Sequence, residues 1–302
     1  VRFINFMLLL CFFILAVVIL PSTLLGLGLF FFGKVLSNLA VSVPPSASPN
    51  LNPSLIGLDY QTVKILSYDN IELVGWLVYS KPGSKKVNTP LIVIHGLGAN
   101  KQFMMSYIQL AHELGFPVLA IDLRGHGESG PSLVTLGLKE SMDLERWIEE
   151  LINNGYSSPV LWGTSLGAVT ALLAGSRLKG KLKAIIADAP FDNLYNALIT
   201  HAQVFFKISP FPMVHIVAWH LKKSFGIDPL KVDCVRAAEN IDCPLLILAA
   251  EKDVRMPIPM VRKVFDAAKC PKSWWIIPNA NHELRTFDPH FKKTIAQFLY
   301  DL

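Results

Sequence analysis

Several segments of this 302-residue chain carry side chains whose types and order suit acyl-transfer chemistry. The first is Val160-Leu161-Trp162-Gly163-Thr164-Ser165-Leu166-Gly167-Ala168, an apolar run that ends in Gly-x-Ser-x-Gly and passes at once into a helix-forming run. A serine hydroxyl is a weak nucleophile until a base takes its proton, so it must stand exposed at a tight strand-to-helix turn beside a histidine. Gly163 and Gly167, lacking a Cβ, would let the backbones around such a turn approach closely. The amide of Leu166 would then face a developing oxyanion at the N-terminus of the new helix. The pentapeptide alone also occurs in unrelated chains, where its serine caps a helix, so its meaning rests on the rest of the sequence.

A base and an acid are available in separate segments. Pro278-Asn279-Ala280-Asn281-His282-Glu283 follows one apolar stretch, and Glu251-Lys252-Asp253-Val254-Arg255-Met256-Pro257 follows another. A buried Asp253 carboxylate that accepts a hydrogen bond from His282 would fix the imidazole tautomer and stabilise the imidazolium formed when His282 deprotonates Ser165. Asp188 and Glu251 are rival acids, Asp188 because it too follows a strand-like run. In His95-Gly96-Leu97-Gly98-Ala99-Asn100 small residues leave room for inward-facing amides, so the expected oxyanion-hole donors are the amides of Leu97 and Leu166. His95 is expected to position that loop. Asp122-Leu123-Arg124-Gly125-His126-Gly127-Glu128-Ser129 puts charges in a Gly-rich turn and is expected to act as scaffold. No His-x-x-x-His pair or Asp/His cluster has metal-ligand spacing, so no metal is expected.

The elements that must position these residues follow from hydrophobic periodicity. Strands are expected near 62–67 and 71–78, as a hairpin around Asp69-Asn70, and then near 91–94, 118–122, 160–163, 184–188, 245–250 and 273–277. Helices are expected near 102–114, 138–153, 166–177 and 258–268, with a last one ending near residue 300. Such alternation makes an α/β fold with a mostly parallel central sheet covered by helices on both faces. The candidate residues then fall on loops beyond the carboxyl ends of strands. Residues 191–232 interrupt the pattern with short apolar pieces, including Phe205, Phe206, Phe211 and Trp219, and read as a helical cap insertion. Apolar surface over a crevice suits an acyl or lipid-like ligand. His201, His215 and His220 lie there without a surrounding motif and are expected to pack or to hydrogen-bond.

The front of the chain is different. From Phe3 to Phe32 there is no charged residue, longer than the ~20 residues a helix needs to cross a bilayer. Residues 1–40 therefore read as a transmembrane anchor, 41–59 as a Pro/Ser-rich tether without secondary structure that holds the next domain off the bilayer, and 60–302 as the globular domain. Arg2 with the α-amine before the span, against Lys34 alone soon after it, gives a slight bias that puts the globular domain on the non-cytoplasmic face. Cys234, Cys243 and Cys270 leave an odd number in the globular part; they read as buried free thiols, with a Cys234-Cys243 disulfide as the alternative in an oxidising compartment. A net charge of +5, with scattered basic residues, does not suit a nucleic-acid partner.

The HGLG, DLRGHGESG, GTSLG, AAEKDVRMP and NANH segments, in this order over residues 60–302, resemble the α/β-hydrolase superfamily. The N-terminal anchor together with Asp188-Ala189-Pro190-Phe191 after the sixth strand is similar to the single-pass membrane hydrolases related to serine aminopeptidases and prolyl oligopeptidases. Ala250 stands where such proteins commonly have glycine. The resemblance implies hydrolysis of an ester, thioester or amide through an acyl-serine intermediate, without metal or cofactor. The expected activity is a membrane-anchored serine hydrolase of carboxylic esters or thioesters with acyl or lipid-like substrates. An acyltransferase or serine peptidase would use the same Ser165, Asp253 and His282, and a non-catalytic membrane protein that binds a partner is the reading from outside enzymology.

Overall fold

The computed structural model describes residue 7 and residues 13–43, 49–85, 88–282 and 290–302. Cys11, the middle of the expected tether and Glu283 lie outside the described residues. An eight-stranded sheet organises the chain: β1 (Tyr60–Leu66), β2 (Glu72–Val78), β3 (Leu91–Ile94), β4 (Val118–Ile121), β5 (Val160–Thr164), β6 (Ala184–Asp188), β7 (Leu245–Ala250) and β8 (Lys272–Ile277), in the order β1-β2-β4-β3-β5-β6-β7-β8. β1 and β2 form the expected antiparallel hairpin, β2 pairs antiparallel with β4, and every pairing beyond that is parallel.

The central strands are short, continuous apolar runs because both of their faces are covered. In β3, Ile92 and Ile94 face one core and Leu91 and Val93 the other, and all four are fully buried. The first core is built with α3 (Leu138–Asn153), α4 (Leu166–Gly175), α7 (Cys234–Ala238) and α8 (Ile258–Ala267), and the second with α2 (Met105–Glu113) and α9 (Phe291–Tyr300). The start expected for α2 at residue 102 is instead a 3-10 turn, Lys101–Met104, because the Asn100 side chain accepts from the Gln102 amide and tightens the entry.

The cap carries α5 (Leu194–Val204) and α6 (Met213–Phe225). Its two ends are pinned together. Asn193 and Asp233 form a bridge, the Leu194 amide donates to the Val232 carbonyl at 2.9 Å, and the Cys234 amide donates to the Asp192 carbonyl at 2.8 Å. Cys234, Cys243 and Cys270 are free thiols, and burial pushes the Cys243 thiol up to about 12.

At the front, a turn of π-helix (Leu15–Ile19) runs into α1 (Leu20–Val41), and Leu15–Val41 is long and apolar enough to cross a membrane. The C-terminal half of α1 does not stand off from the globular domain as a tethered anchor would. It lies against α6, because a Cβ on Gly33 would come within 2.5 Å of Ile216 Cγ2 and its absence lets the helices approach. The Val134 amide donates to the Val41 carbonyl at 3.0 Å. The expected extended stretch after residue 41 also contains a 3-10 turn, Pro53–Ile56, capped by Asn52.

Candidate active site

Ser165 occupies the single position between the end of β5 and the start of α4. Its φ of 52° and ψ of −115° are unfavourable for a residue with a Cβ, at a cost of roughly 1–3 kcal/mol. Neighbouring bonds hold it there: its amide donates to the Asp188 carbonyl at 2.8 Å, and its carbonyl accepts from the Val169 amide at 3.1 Å. The turn also needs its two glycines. A Cβ on Gly163 would sit 2.2 Å from the Gly167 carbonyl oxygen, and one on Gly167 would sit 2.2 Å from the Ile94 carbonyl oxygen. The strained backbone turns the hydroxyl away from the helix and toward the loop after β8.

On that loop is His282, whose Nε2 lies 3.0 Å from Ser165 Oγ and whose Nδ1 lies 2.7 Å from Asp253 Oδ2. A carboxylate only accepts, so Nδ1 carries the proton and the Nε2 lone pair faces the serine hydroxyl. The second oxygen of Asp253 accepts from the Arg255 and Met256 amides, each at 2.9 Å. The Asp253 side chain is fully buried, so its bonds are made in a low-dielectric setting where they are strongest. Of the rival acids, Asp188 gives its backbone carbonyl to the Ser165 amide, while Glu251 accepts from the Asn279 amide at 2.7 Å and ties the acid-bearing loop to the base-bearing one. The carboxylate that meets His282 is that of Asp253.

The loops beyond β3 and β4 are locked to each other by two histidines. His95 donates from Nδ1 to the Gly96 carbonyl at 2.8 Å and accepts at Nε2 from the Leu123 amide at 3.0 Å. His126 donates from Nδ1 to the Arg124 carbonyl at 2.9 Å and accepts at Nε2 from the Gly98 amide at 3.2 Å. Burial depresses both imidazoles, that of His95 to about 4, which keeps them neutral as these bonds require. Beneath them Asp122 accepts from the amide and ammonium of Lys101 and from the Glu128 amide. Arg124 is fully buried, bonding Asp143 through two nitrogens at 2.6 Å and Asp69 through two at 3.0 Å. The Arg124 guanidinium holds the Asp69 carboxyl well below the usual carboxylate range. Leu97 therefore sits on a rigid loop.

A cavity of about 850 Å³ opens above the serine, within the ~300–1,000 Å³ span of small-molecule sites. Leu97, Leu166, Ser165 and His282 form its polar end, and Phe191, Leu198, Phe205, Met213 and Val217 of the cap region form an apolar roof. His201 also lines it, donating from Nδ1 to the Ala197 carbonyl at 2.8 Å, with its pKa lowered by burial, so it adds no charge at neutral pH. The other cap histidines have partners too: His215 lies 3.2 Å from the Tyr195 hydroxyl, and His220 Nε2 donates to the Phe30 carbonyl at 3.2 Å. Residues with no expected place in the site also line the cavity: Leu36, Leu39 and Ala40 of α1, and Arg255, whose guanidinium lies 5.3 Å from the Phe205 ring centre. A signal for the first three existed in the sequence, since Gly33 and Ser37, four residues apart, form a small-residue helix-packing pair that buried Val41 continues.

Comparison with known proteins agrees with this architecture. A family model for the alpha/beta hydrolase fold matches residues 89–213. The chain is 29% identical over 214 residues to the uncharacterized protein YqkD of Bacillus subtilis, covering 69% of this chain and 70% of that one. It is 26% identical over 193 residues to the lysophosphatidylserine lipase ABHD12 of Danio rerio, covering 61% of this chain and 48% of that one, so it spans about half the length of that relative. The Pyrococcus furiosus esterase Pf2001 superposes with a TM-score of 0.69 at 24% identity, covering 85% of this chain and 98% of that one. An acetyl xylan esterase from Paenibacillus sp. R4 gives 0.65 at 19% identity, over 90% and 92% of the two chains. With this sheet order and the family match over residues 89–213, the chain has the α/β-hydrolase fold.

Proposed function

We propose that the chain is a membrane-anchored serine hydrolase that cleaves carboxylic ester or thioester bonds of acyl or lipid-like substrates. The observation that carries this reading is His282 standing between Ser165 Oγ, at 3.0 Å, and Asp253, at 2.7 Å, on the floor of an apolar cavity. In this mechanism His282 takes the hydroxyl proton as Ser165 attacks the substrate carbonyl. Asp253 keeps the imidazole in the required tautomer and stabilises its protonated form. The amides of Leu97 and Leu166 receive the negative charge that develops on the carbonyl oxygen. His282 returns the proton to the leaving alcohol or thiol, an acyl-Ser165 remains, and water activated by the same histidine releases the acid.

The substrate class is supported by the apolar roof and by relatives named as esterases and as a lysophosphatidylserine lipase. Anchoring is supported by Leu15–Val41, which is long and apolar enough to cross a membrane. In this organisation residues 1–40 anchor, 41–59 connect and 60–302 form the hydrolase, with the cap at about 191–232.

The test is fluorophosphonate labelling of wild type, Ser165→Ala and His282→Ala, followed by turnover of nitrophenyl esters from acetyl to palmitoyl. Labelling is expected in wild type alone. Asp253→Asn is expected to lower kcat by roughly 10,000-fold while leaving the fold intact, because the asparagine amide presents a donor to Nδ1 and favours the wrong tautomer. A well-folded wild type that neither labels nor turns over any ester would sink the proposal.

A further inference from the structure

The proposed active site has a wall that belongs to the anchor. Leu36, Leu39 and Ala40, spaced on one face of α1, line the same cavity as Ser165 and His282. Their position relative to a bilayer follows from helix geometry. At 1.5 Å per residue, the twenty residues from Leu15 to Lys34 span roughly 30 Å, the thickness of the hydrocarbon layer. Lys34 is exposed and is the first charged residue after the charge-free run, and α6 already packs on the helix at Phe30 and Gly33, so the interface lies at or before Lys34. The cavity wall begins two residues later.

The contacts that hold this wall in place are specific. Gly33 lies against Ile216, and Phe30 packs on Trp219 and His220 with ring centres 5.4 and 4.5 Å apart. His220 donates to the Phe30 carbonyl, an oxygen already inside a helix, and so fixes the rotation of α1 against α6. The Val134 amide fixes the end of the helix at Val41. With rotation and end both set, Leu36 and Ala40 turn inward and are half-buried, as a cavity wall requires. Phe205 and Phe206 complete the apolar lining on the cap side and are themselves half exposed.

Resting on the hydrolase reading above, we infer that the last two turns of α1 are a specificity element: they form the acyl-binding wall and match the pocket to long-chain acyl esters taken from the adjoining bilayer. The anchor would then serve both as membrane attachment and as part of the site. A soluble domain cut after residue 41 would lack one side of its pocket.

The experiment uses the full chain in phosphatidylcholine nanodiscs and measures kcat/KM for nitrophenyl esters from acetyl to palmitoyl. Ala40→Phe fills the wall and is expected to lower the palmitoyl-to-butyryl ratio by about tenfold or more, the discrimination that a misfit of one or two methylenes produces in an apolar pocket. Leu36→Ala enlarges it and is expected to move the preference toward longer chains. Opposite shifts cannot both come from damaged folding, and if Ala40→Phe fails to fold, Leu36→Ala still decides. Leu27→Ala, on the exposed face of α1 outside the cavity, serves as control and should keep the wild-type ratio. Ratios for both wall variants that match wild type would overturn the inference and leave the hydrolase reading standing. A wild type that hydrolyses no ester would overturn both.

Discussion

At the scale of single residues, the site depends on side chains that are kept neutral as much as on those proposed to react. His95 illustrates this, since its Nε2 receives the Leu123 amide and has no room for a proton of its own. Its folded pKa of about 4 lies below the ordinary value of 6.5, so the unfolded chain binds the proton first as pH falls. The sign follows: this contribution to stability is complete above about pH 6.5 and is lost as pH drops toward 4. At 1.36 kcal/mol per pH unit, the loss between about pH 6.5 and 5 is about 2 kcal/mol. Wild type should therefore lose thermal stability over this interval more steeply than His95→Gln, whose amide can replace both hydrogen bonds without titrating. Equal pH slopes for the thermal midpoints of the two proteins would show that His95 does not lock the loop carrying Leu97.

At the scale of elements, the turn between β5 and α4 sets two effects against each other at Gly167. Helix propensity alone makes Gly167→Ala stabilising by up to about 1 kcal/mol. The new methyl would, however, sit 2.2 Å from the Ile94 carbonyl oxygen and 2.8 Å from that of His95, both rigid backbone atoms at the end of β3. Forcing α4 away from β3 costs about 1–3 kcal/mol or more, and it moves Ser165 relative to His282, so the steric term wins. The expected result is a lower thermal midpoint together with fluorophosphonate labelling slowed by at least about tenfold; an alanine variant that is stabilised and labels normally would refute it.

The same elements show what the sequence made legible. β3, β6 and β7 occupy the spans their apolar runs define, because a strand buried on both faces leaves little choice of residue type. The proximity of Ser165, Asp253 and His282 could be anticipated from strand endings. The choice of Asp253 over Asp188, which the sequence favours, is not fixed by strand endings alone, since both carboxylates follow buried strands. It depends on β6 lying beside β5, where the register pairs Thr164 with Asp188 and sends the Asp188 carbonyl to the serine amide. The inward face of α1 was harder to read, because in a helix apolar all round the packing side is marked only by small residues.

At the scale of the whole molecule, the seam between α1 and α6 joins the N-terminal apolar helix to the cap, and Gly33 lies in it against Ile216. Leucine at this position would place its Cβ 2.5 Å from Ile216 Cγ2 and its branch deeper still, on a helix face that already carries Phe30 against Trp219 and His220. The helices would have to separate, and the His220 bond to the Phe30 carbonyl at 3.2 Å would stretch beyond hydrogen-bonding range. Val41, Val217 and Leu221 of the two helices reach one of the two cores, but the strand that carries the Ser165 turn is held on both sides by backbone pairing to β3 and β6, and the turn itself by the Asp188 carbonyl. Gly33→Leu should therefore leave fluorophosphonate labelling of Ser165 in place while raising amide exchange across Met213–Phe225 in nanodiscs, because α6 loses its partner. Long-chain ester turnover should fall more than acetyl ester turnover, since the wall formed by Leu36, Leu39 and Ala40 moves with the helix. Unchanged exchange across α6 would mean that the cap is held by the hydrolase domain alone and that α1 only lies beside it.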